Sequence, residues 1–241
     1  MSLEGKNILI TGAARRIGRA LALAVAGAGG RVILHYGSSA LEAESTRADI
    51  QAAGGAAHLL QADFGEPARL PGLIEQALSF GPLYALVNNA SIFEPLSLKE
   101  TSLEDWERHM AINLTAPFLL SQAFAASHPK GEGGRIVNLL DWRALRPGAD
   151  HFPYTISKAG LAALTRSLAV ALAPDITVNG LALGAILPPS TGADTSRIID
   201  AVPAGRWAKL EEVTQALLFL LSGPAYMTGE IIHIDGGRHL V

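Results

Sequence analysis

The chain has 241 residues, of which 49% are hydrophobic and 17% are charged, and its formal net charge is −3. This length and apolar content allow a sizeable buried core, and the slight negative charge argues against a nucleic-acid or anionic-membrane partner. Cysteine is absent and the seven histidines lack metal-ligand spacing, so the sequence predicts no disulfide, no thiolate chemistry and no metal site.

The first residues do not have the pattern of a signal peptide. The apolar stretch at residues 20–30 is too short, and too interrupted by glycine, to cross a bilayer. We therefore expect a cytoplasmic protein without a membrane partner.

Seven short apolar runs alternate with helical patterns along the whole chain. Strands that alternate with single helices form right-handed crossovers and a parallel sheet. The sequence therefore predicts an α/β fold with one domain, residues 1–241, and a doubly wound, seven-stranded parallel sheet with helices on both faces. The predicted strands are residues 6–11, 31–36, 57–62, 84–88, 134–140, 176–181 and 231–234.

Two helix starts have the form of a capping box. Ser39 is followed three residues later by Glu42, and Thr101 is followed in the same way by Glu104. In this motif the hydroxyl accepts from the backbone of the third helical residue, whose side chain accepts in return. We expect both pairs to open helices.

Residues 11–18 follow the first strand and open a helix. They contain Gly12 and Gly18 but not a full G-x-G-x-x-G pattern. Such a turn presents backbone amides and a helix dipole to an anion, and Arg15 and Arg16 add positive charge. By itself it could equally be an ordinary turn between a strand and a helix.

Several predicted strands end in glycine or a polar residue. In a doubly wound sheet, ligands bind beyond the carboxyl ends of the strands. We therefore expect the ligand site at that edge. The residues concerned are Gly12, Asp63, Asn88, Asp141 and Gly184.

Tyr154 and Lys158 lie four residues apart and share one face of a predicted helix. A phenol titrates near ~10, and an ammonium at ~4 Å in an effective dielectric near 20 supplies about 4 kcal/mol, enough to lower that pKa by roughly three units. The pair therefore predicts a tyrosine with a lowered pKa that acts as an acid. The alternative is an exposed pair on an amphipathic helix.

Residues 187–205 are rich in proline, glycine, serine and threonine and lack a regular pattern. They follow the sixth predicted strand at the ligand edge. The segment is either a surface connection or a lid over the site.

Over its whole length the chain resembles the short-chain dehydrogenases/reductases. This resemblance implies a Rossmann-type nucleotide-binding fold. It rests on Thr11, Gly12, Gly18, Asp63, residues 88–90, Asn113, Tyr154, Lys158, Asn179 and residues 235–237. Arg16, residues 88–93 and Asp141 are similar to the pteridine reductases, and residues 235–240 are similar to bacterial dihydromonapterin reductases.

The resemblance implies a dinucleotide cofactor. The second strand ends without a carboxylate that could accept from a ribose hydroxyl, whereas Ser38, Ser39 and Arg15 could hold a 2′-phosphate, so the expected cofactor is NADPH. Ser39 could in addition cap its helix, and Asp63 could either accept from the adenine amino group or open a capping box with Glu66. The expected cofactor-binding residues are Gly12, Arg15, Arg16, Ile17, Gly18, His35, Tyr36, Ser38, Ser39, Asp63, Phe64, Asn89, Ala90, Ser91, Tyr154, Lys158, Gly184 and Ile186.

The expected catalytic residues are Asp141, Tyr154, Lys158 and Asn113. The family usually has a serine where this chain has Asp141. A carboxylate opposes the oxyanion that develops when a ketone is reduced, but it suits a substrate with N–H donors. The alternative is that Asp141 only caps a loop end.

The resemblance also implies how the substrate is held. The expected substrate-binding residues are Arg16, Ser91, Phe93, Asp141 and Tyr154, with Phe93 stacked on a flat ring. Phe93 could otherwise be an ordinary core residue. The carbonyl of Asn113 is implied to hold a water that links Lys158 to solvent.

These features predict an NADPH-dependent reductase of a pteridine, such as a dihydropteridine, dihydromonapterin or dihydrofolate-like ring. The alternatives are a ketone reductase, for example of 3-oxoacyl or sugar substrates, and an NADP(H)-binding protein without turnover. The resemblance further implies a homotetramer that packs through residues 106–127 and 154–172.

Overall fold

The computed structural model describes residues 2–188 and 196–241. Seven parallel strands form one sheet in the order β3-β2-β1-β4-β5-β6-β7. The strands are β1 Asn7–Ile10, β2 Arg31–Tyr36, β3 Ala56–Gln61, β4 Leu83–Asn88, β5 Gly134–Asp141, β6 Ile176–Leu183 and β7 Ile231–Ile234. All seven predicted strands are confirmed, and β6 extends two residues further than predicted.

Helices connect the strands and cover both faces of the sheet. They are α1 Arg16–Gly27, α2 Ala40–Ala52, α3 Pro71–Leu78, α4 Leu103–Met110, α5 Ala116–Ser127, α6 Phe152–Leu172, α7 Ser196–Asp200 and α8 Leu210–Ser222. The chain runs outward from β1 to β3 and then returns to place β4 on the other side of β1. This reversal opens a crevice at the carboxyl ends of β1 and β4, where ligands bind in doubly wound sheets.

Alternation along each strand divides the core into two layers. Ile8 and Ile10 of β1 pack with α1, α2 and α8 on one face, whereas Leu9 packs with α3, α5 and α6 on the other. Because successive side chains point to opposite faces, a strand covered on both sides reads as a continuous apolar run. The predicted Rossmann-type, doubly wound fold is therefore confirmed.

The two capping-box predictions are wrong. The side chain of Ser39 makes no capping bond, and its ψ of 60° departs from the extended conformation of an N-cap. The second box lies one residue later than predicted, because Ser102 is the extended N-cap residue and exchanges hydrogen bonds with Asp105. Thr101 instead donates to the carbonyl of Ser97 at 2.7 Å.

The helical region around Asn113 is interrupted. Residues Ala111–Thr115 form a π-helical turn between α4 and α5, and Asn113 is fully buried within it. Such turns are rare in proteins, but those that occur often lie at functional sites. Within the described residues, no helix has both the length and the hydropathy that a bilayer crossing requires.

A buried chain of polar side chains ties helix α6 to the sheet. The amide of Asn88 on β4 donates to Asn138 on β5 at 2.8 Å, and the amide of Asn138 donates to Thr165 on α6 at 2.9 Å. All three side chains are buried. Buried polar groups of this kind fix one relative position of the elements that carry them.

Replacing Asn138 with alanine should lower the free energy of unfolding by about 1–3 kcal/mol, because the amide of Asn88 loses its short hydrogen bond in a buried setting. Urea denaturation measures the change. Ser79→Ala removes an exposed hydroxyl that also bonds to a carbonyl, and we expect it to cost less than about 0.5 kcal/mol. Equal losses in the two variants would show that the buried chain of polar side chains stabilises the fold no more than an exposed hydrogen bond does.

Candidate active site

The predicted edge residues meet at one end of the sheet. Asn88 and Asp141 are the last residues of β4 and β5, and Gly12, Asp63 and Gly184 follow β1, β3 and β6 within two residues. Because all strands are parallel, their carboxyl ends share this edge.

A groove of about 560 Å³ crosses the edge beside β1, β2 and β4. Most of the predicted cofactor residues line it: Gly12, Arg15, Arg16, Ile17, Gly18, His35, Tyr36, Ser38, Ser39, Asp63, Phe64, Asn89, Ala90 and Ser91. Tyr154, Lys158, Gly184 and Ile186 are not among its lining residues. The sequence prediction missed six lining residues, of which four are next to a predicted cofactor residue and two, Gln61 and Ile112, are not. The four are Ala14, Gly37, Ala62 and Ile92.

The loop after β1 is held by the loop after β4. The amide of Asn89 donates to the carbonyls of Thr11 and Gly12 at 2.8 and 3.0 Å, and the Thr11 hydroxyl accepts from the backbone of Asn89 and Ala90. Gly12 has a φ of +62°, and a Cβ there would lie 2.9 Å from Cα of Ala90. Glycine is therefore required at this position for both conformation and space.

The first turn of α1 is open to an anion. Its N-cap residue, Arg15, is extended and makes no side-chain capping bond, so the first amides of the helix remain available for a ligand. Arg16 follows in a left-handed conformation, with a φ of +52°, and its guanidinium donates to the carbonyl of Pro188 at 3.3 Å. A non-glycine residue in that conformation is uncommon, and Arg16 connects this loop to the segment after β6.

The base of the groove is a buried, neutral histidine. Nδ1 of His35 accepts from the amide of Gly12 at 3.2 Å, and Nε2 donates to the carbonyl of Ala62 at 3.1 Å. The ring also stacks on Phe64 with centroids 4.4 Å apart. Burial lowers the pKa of His35 to about 4, so the ring stays neutral and supports the turn.

Asp63 does not form the alternative capping box. Its Oδ1 accepts from the amide of Gly65 at 2.8 Å, whereas Glu66 pairs with Arg69. The second oxygen of Asp63 is free of such a bond among the described residues and lies at the groove. Ser39 is likewise not engaged as a cap.

Asp141, Tyr154 and Lys158 meet between the end of β5 and the start of α6. The Tyr154 hydroxyl donates to Oδ2 of Asp141 at 3.1 Å. Nζ of Lys158 donates to the carbonyl of Leu139 at 2.7 Å and lies 5.8 Å from the centre of the Tyr154 ring. Tyr154 and Lys158 are both buried, so the exposed pair considered for them is excluded.

The predicted pKa of Tyr154 is wrong for the free protein. Burial first, and then the charge and hydrogen bond of Asp141, raise the pKa of this phenol well above its usual value. Burial lowers the pKa of Lys158 to about 8, which Asp141 partly opposes. Lys158 therefore does not offset the effects of burial and of Asp141 on the pKa of Tyr154, and the hydroxyl stays protonated.

Two opposed effects act on the pKa of the Asp141 carboxyl. Burial raises its pKa, whereas Arg143 is the strongest of the groups that oppose the rise. Oδ1 also accepts from the backbone amide of Arg143 at 2.8 Å, so Asp141 does cap the short turn Trp142–Ala144. The capping interpretation is therefore confirmed on one carboxylate oxygen, whereas a role of the other oxygen in catalysis and substrate binding stays a prediction.

Asn113 fastens the loop after β4 to α6. Its Oδ1 accepts from the Ser91 hydroxyl and the Ile92 amide at 3.1 and 2.9 Å, and its Nδ2 donates to the Ile92 carbonyl and the Ser157 hydroxyl at 3.1 and 3.0 Å. The side chain thus has a positioning role. The water that its carbonyl is expected to hold stays a prediction.

Phe93 is a surface residue and not part of the core, because 54% of it is exposed. Its ring stacks on His151 with centroids 4.0 Å apart and meets Tyr154 edge to face at 4.6 Å. His151 has a left-handed backbone at the start of α6. The sequence prediction missed His151 and Arg143, although they stand three residues before Tyr154 and two after Asp141.

The segment after β6 is only partly described. The amide of Gly184 donates to the carbonyl of Ile234 at 3.0 Å and is therefore occupied, so a contact of Gly184 with the cofactor, which stays a prediction, would use other atoms of this residue. Ile186 is buried. The predicted lid at residues 187–205 includes residues 189–195, which lie outside the described residues.

Sequence and structure comparisons agree on the kind of protein that this chain resembles. A family model described as enoyl-(acyl carrier protein) reductase matches residues 12–239. A 3-oxoacyl-[acyl-carrier-protein] reductase of Synechocystis sp. is 34% identical over an alignment of 241 residues, and the match covers 98% of each chain.

Two solved structures are similar over nearly the whole chain. FolM alternative dihydrofolate reductase 1 from Brucella canis, complexed with NADP, has a TM-score of 0.93 and 35% identity, and the match covers 99% of this chain and 96% of that one. A blue fluorescent protein from a metagenomic library, in complex with NADPH, has a TM-score of 0.91 and 35% identity with 99% of both chains covered.

Acid should destabilise the protein through His35. Its pKa is about 4 in the folded chain against an ordinary 6.5, so its contribution to stability is complete above pH 6.5 and is lost as the pH falls through 6.5 toward 4. The loss amounts to at most about 3 kcal/mol. Urea denaturation at pH 7, 5.5 and 4 should show a smaller pH dependence for His35→Gln than for the parent. Identical pH dependence in the parent and the variant would show that protonation of His35 does not cause the loss of stability.

Proposed function

The chain belongs to the short-chain dehydrogenase/reductase family, and we propose that within this family it is an NADPH-dependent reductase of a pteridine ring. The observation that carries the proposal is the largely buried carboxylate of Asp141 beside Tyr154. A ketone-reducing site needs a hydrogen-bond donor there, because negative charge develops on the substrate oxygen.

The groove fits NADPH. Open amides at the start of α1 suit a pyrophosphate, and Ser38, Ser39 and Arg15 suit a 2′-phosphate at the far end of the groove. When bound, NADPH supplies the hydride. The solved relatives from Brucella canis and the metagenomic library contain NADP and NADPH, which supports the same cofactor for this chain.

The substrate side of the site suits a flat ring with N–H groups. The Asp141 carboxylate accepts and cannot donate while it is ionised, so it matches the amino and ring N–H groups of a 2-amino-4-oxopteridine. Phe93 offers an exposed aromatic ring next to Tyr154. Ser91, held by Asn113, provides a further polar contact at the boundary between the groove and this pocket.

Tyr154 is the proposed proton donor. Substrate N–H groups compete for Asp141, which frees the Tyr154 hydroxyl to turn toward a ring nitrogen. Its proton passes to that nitrogen as the neighbouring carbon is reduced, and the Lys158 ammonium stabilises the phenolate that remains. After the product leaves, Asp141, whose burial raises its pKa, can take up a proton from solvent, pass it to the Tyr154 phenolate and return to its carboxylate form.

The comparisons support two substrate classes. A dihydrofolate reductase is among the similar structures, and 3-oxoacyl reductases are among the similar sequences. The carboxylate at position 141 favours the pteridine, because a ketone reductase gains nothing from an acceptor at the developing oxyanion. An NADP(H)-binding protein without turnover would have no use for a buried acid held by a lysine and an aspartate.

Further parts of the proposal concern assembly and location. We expect a homotetramer that packs through residues 106–127 and 154–172, where Phe118 and Val170 expose apolar side chains. We also expect a cytoplasmic location and closure of residues 187–205 over the substrate.

Asp141→Ser is the direct test of the substrate class. In an NADPH oxidation panel of dihydrobiopterin, dihydromonapterin, dihydrofolate, acetoacetyl thioester and a diketone, the parent should reduce at least one of the three pteridines. The variant should lose that activity ~10-fold or more, because the N–H acceptor is gone, while its diketone activity rises. Asp141→Asn, which keeps the shape without the charge, is the matched control. Undiminished pteridine reduction by Asp141→Ser would refute the assignment.

Tyr154→Phe should lower turnover on the order of 100-fold or more, because it keeps the ring and removes the proton. NADPH binding, followed by fluorescence titration, should be nearly unchanged. A variant with parental turnover would place the acid on another residue.

A further inference from the structure

Arg143 lies between two carboxylates at the wall of the site. Its backbone amide donates to Oδ1 of Asp141 at 2.8 Å, and Nη1 lies 3.5 Å from the same oxygen. On its other side, Nε and Nη2 donate to Oδ2 of Asp150 at 3.2 and 2.7 Å. The Arg143 side chain is 17% exposed, that of Asp141 13% and that of Asp150 52%. The guanidinium therefore joins a buried carboxylate to one that reaches solvent.

The charged and titratable groups that face Asp141 come from two elements. Arg143 belongs to the short turn after β5, and Tyr154 and Lys158 belong to α6. Lys158 donates its bond to Leu139, and Tyr154 is a neutral donor. Arg143 is thus the cation in direct contact with Asp141, whereas Asp150 and His151 face Arg143 from its far side.

The position of the guanidinium is fixed by aromatic rings as well as by Asp150. Its central carbon lies 4.8 Å from the ring centre of Trp142 and 5.9 Å from that of Phe93. Asp150 also contacts His151, whose ring stacks on Phe93. The groups that hold the charge and those that form the aromatic wall are therefore one contiguous unit. A lysine could not make the two-sided contact of this planar group.

We propose that Arg143 determines substrate class by keeping Asp141 in its carboxylate form, so that position 141 accepts from N–H donors and cannot donate to a carbonyl oxygen. This inference rests on the proposed function. It adds Arg143 as the residue that decides whether position 141 accepts or donates a hydrogen bond to the substrate. Without the guanidinium, burial favours the protonated carboxylic acid. A carboxylic acid at that position donates a hydrogen bond and suits the oxygen of a ketone.

The first experiment measures Asp141 itself. Carbon-13 NMR of the carboxyl groups, with the resonance identified by Asp141→Asn, gives the pKa of Asp141 in the free and the NADP-saturated protein. Arg143→Gln should raise that pKa by about one unit or more, and Arg143→Lys by less. Unfolding curves confirm that each variant is folded, and the lysine variant serves if the glutamine variant is not. An unchanged pKa in a folded variant would overturn the proposal.

The second experiment measures substrate choice against pH. For Arg143→Gln, kcat/KM with a dihydropteridine should fall by up to about 5-fold at pH 7 and recover as the pH rises, because a one-unit rise in the pKa lowers the ionised fraction of a group that is at least half ionised by no more than about that factor. Diketone reduction should rise toward lower pH. In the double variant Arg143→Gln, Asp141→Asn, the pH dependence caused by the first substitution should disappear.

The two readouts separate the possible failures. A shifted pKa without any change in substrate preference would overturn the proposed role of Arg143 in specificity. A parent protein that reduces only ketones would refute the pteridine assignment and this role together, but the NMR shift would still measure how strongly Arg143 holds Asp141.

Discussion

The hydrogen bond from Tyr154 to Asp141, 3.1 Å long and largely shielded from solvent, is the contact on which the rest of the site depends. It places a proton donor and a carboxylate side by side, and burial makes the charge of that carboxylate expensive to keep. Lys158 and Arg143 are the cations that lie near this pair. In the free protein the protonation of the pair is therefore set by two cations and by burial, and a single lysine does not acidify the tyrosine.

The fold explains why this balance can be held. Asp141 ends β5 and Tyr154 lies in the first turn of α6, so their distance depends on how the helix sits against the sheet. The buried chain from Asn88 through Asn138 to Thr165 fixes that position along the helix, and Asn113 fastens the loop of Ser91 to the same helix at Ser157. Amide side chains in an otherwise apolar interior are costly unless they are paired, and here each pairing joins two elements of the site.

Features that depend on local pattern could be predicted from the sequence. The seven strands are continuous apolar runs because both faces of the sheet are covered, and the spacing of Tyr154 and Lys158 follows from helix geometry. Other features depend on tertiary contacts and could not. The pKa of Tyr154 is set by burial and by Asp141, while Lys158 donates to the Leu139 carbonyl. The capping box starts at Ser102 and not at Thr101, although both residue types can cap a helix. This choice and the π turn at Asn113 depend on small differences in backbone geometry that the sequence does not reveal.

Substrate class depends on fewer residues than the fold does. This chain is about equally similar, at 34–35% identity over nearly its full length, to a 3-oxoacyl reductase and to an alternative dihydrofolate reductase. The sheet, the groove and the Tyr154–Lys158 pair can therefore not distinguish the two chemistries. In the proposed function, the two chemistries differ in whether the group opposite Tyr154 accepts or donates a hydrogen bond, and for a carboxyl that depends on one proton. On that proposal, a change of substrate would need no rearrangement of the backbone, only a change in the charge that faces position 141.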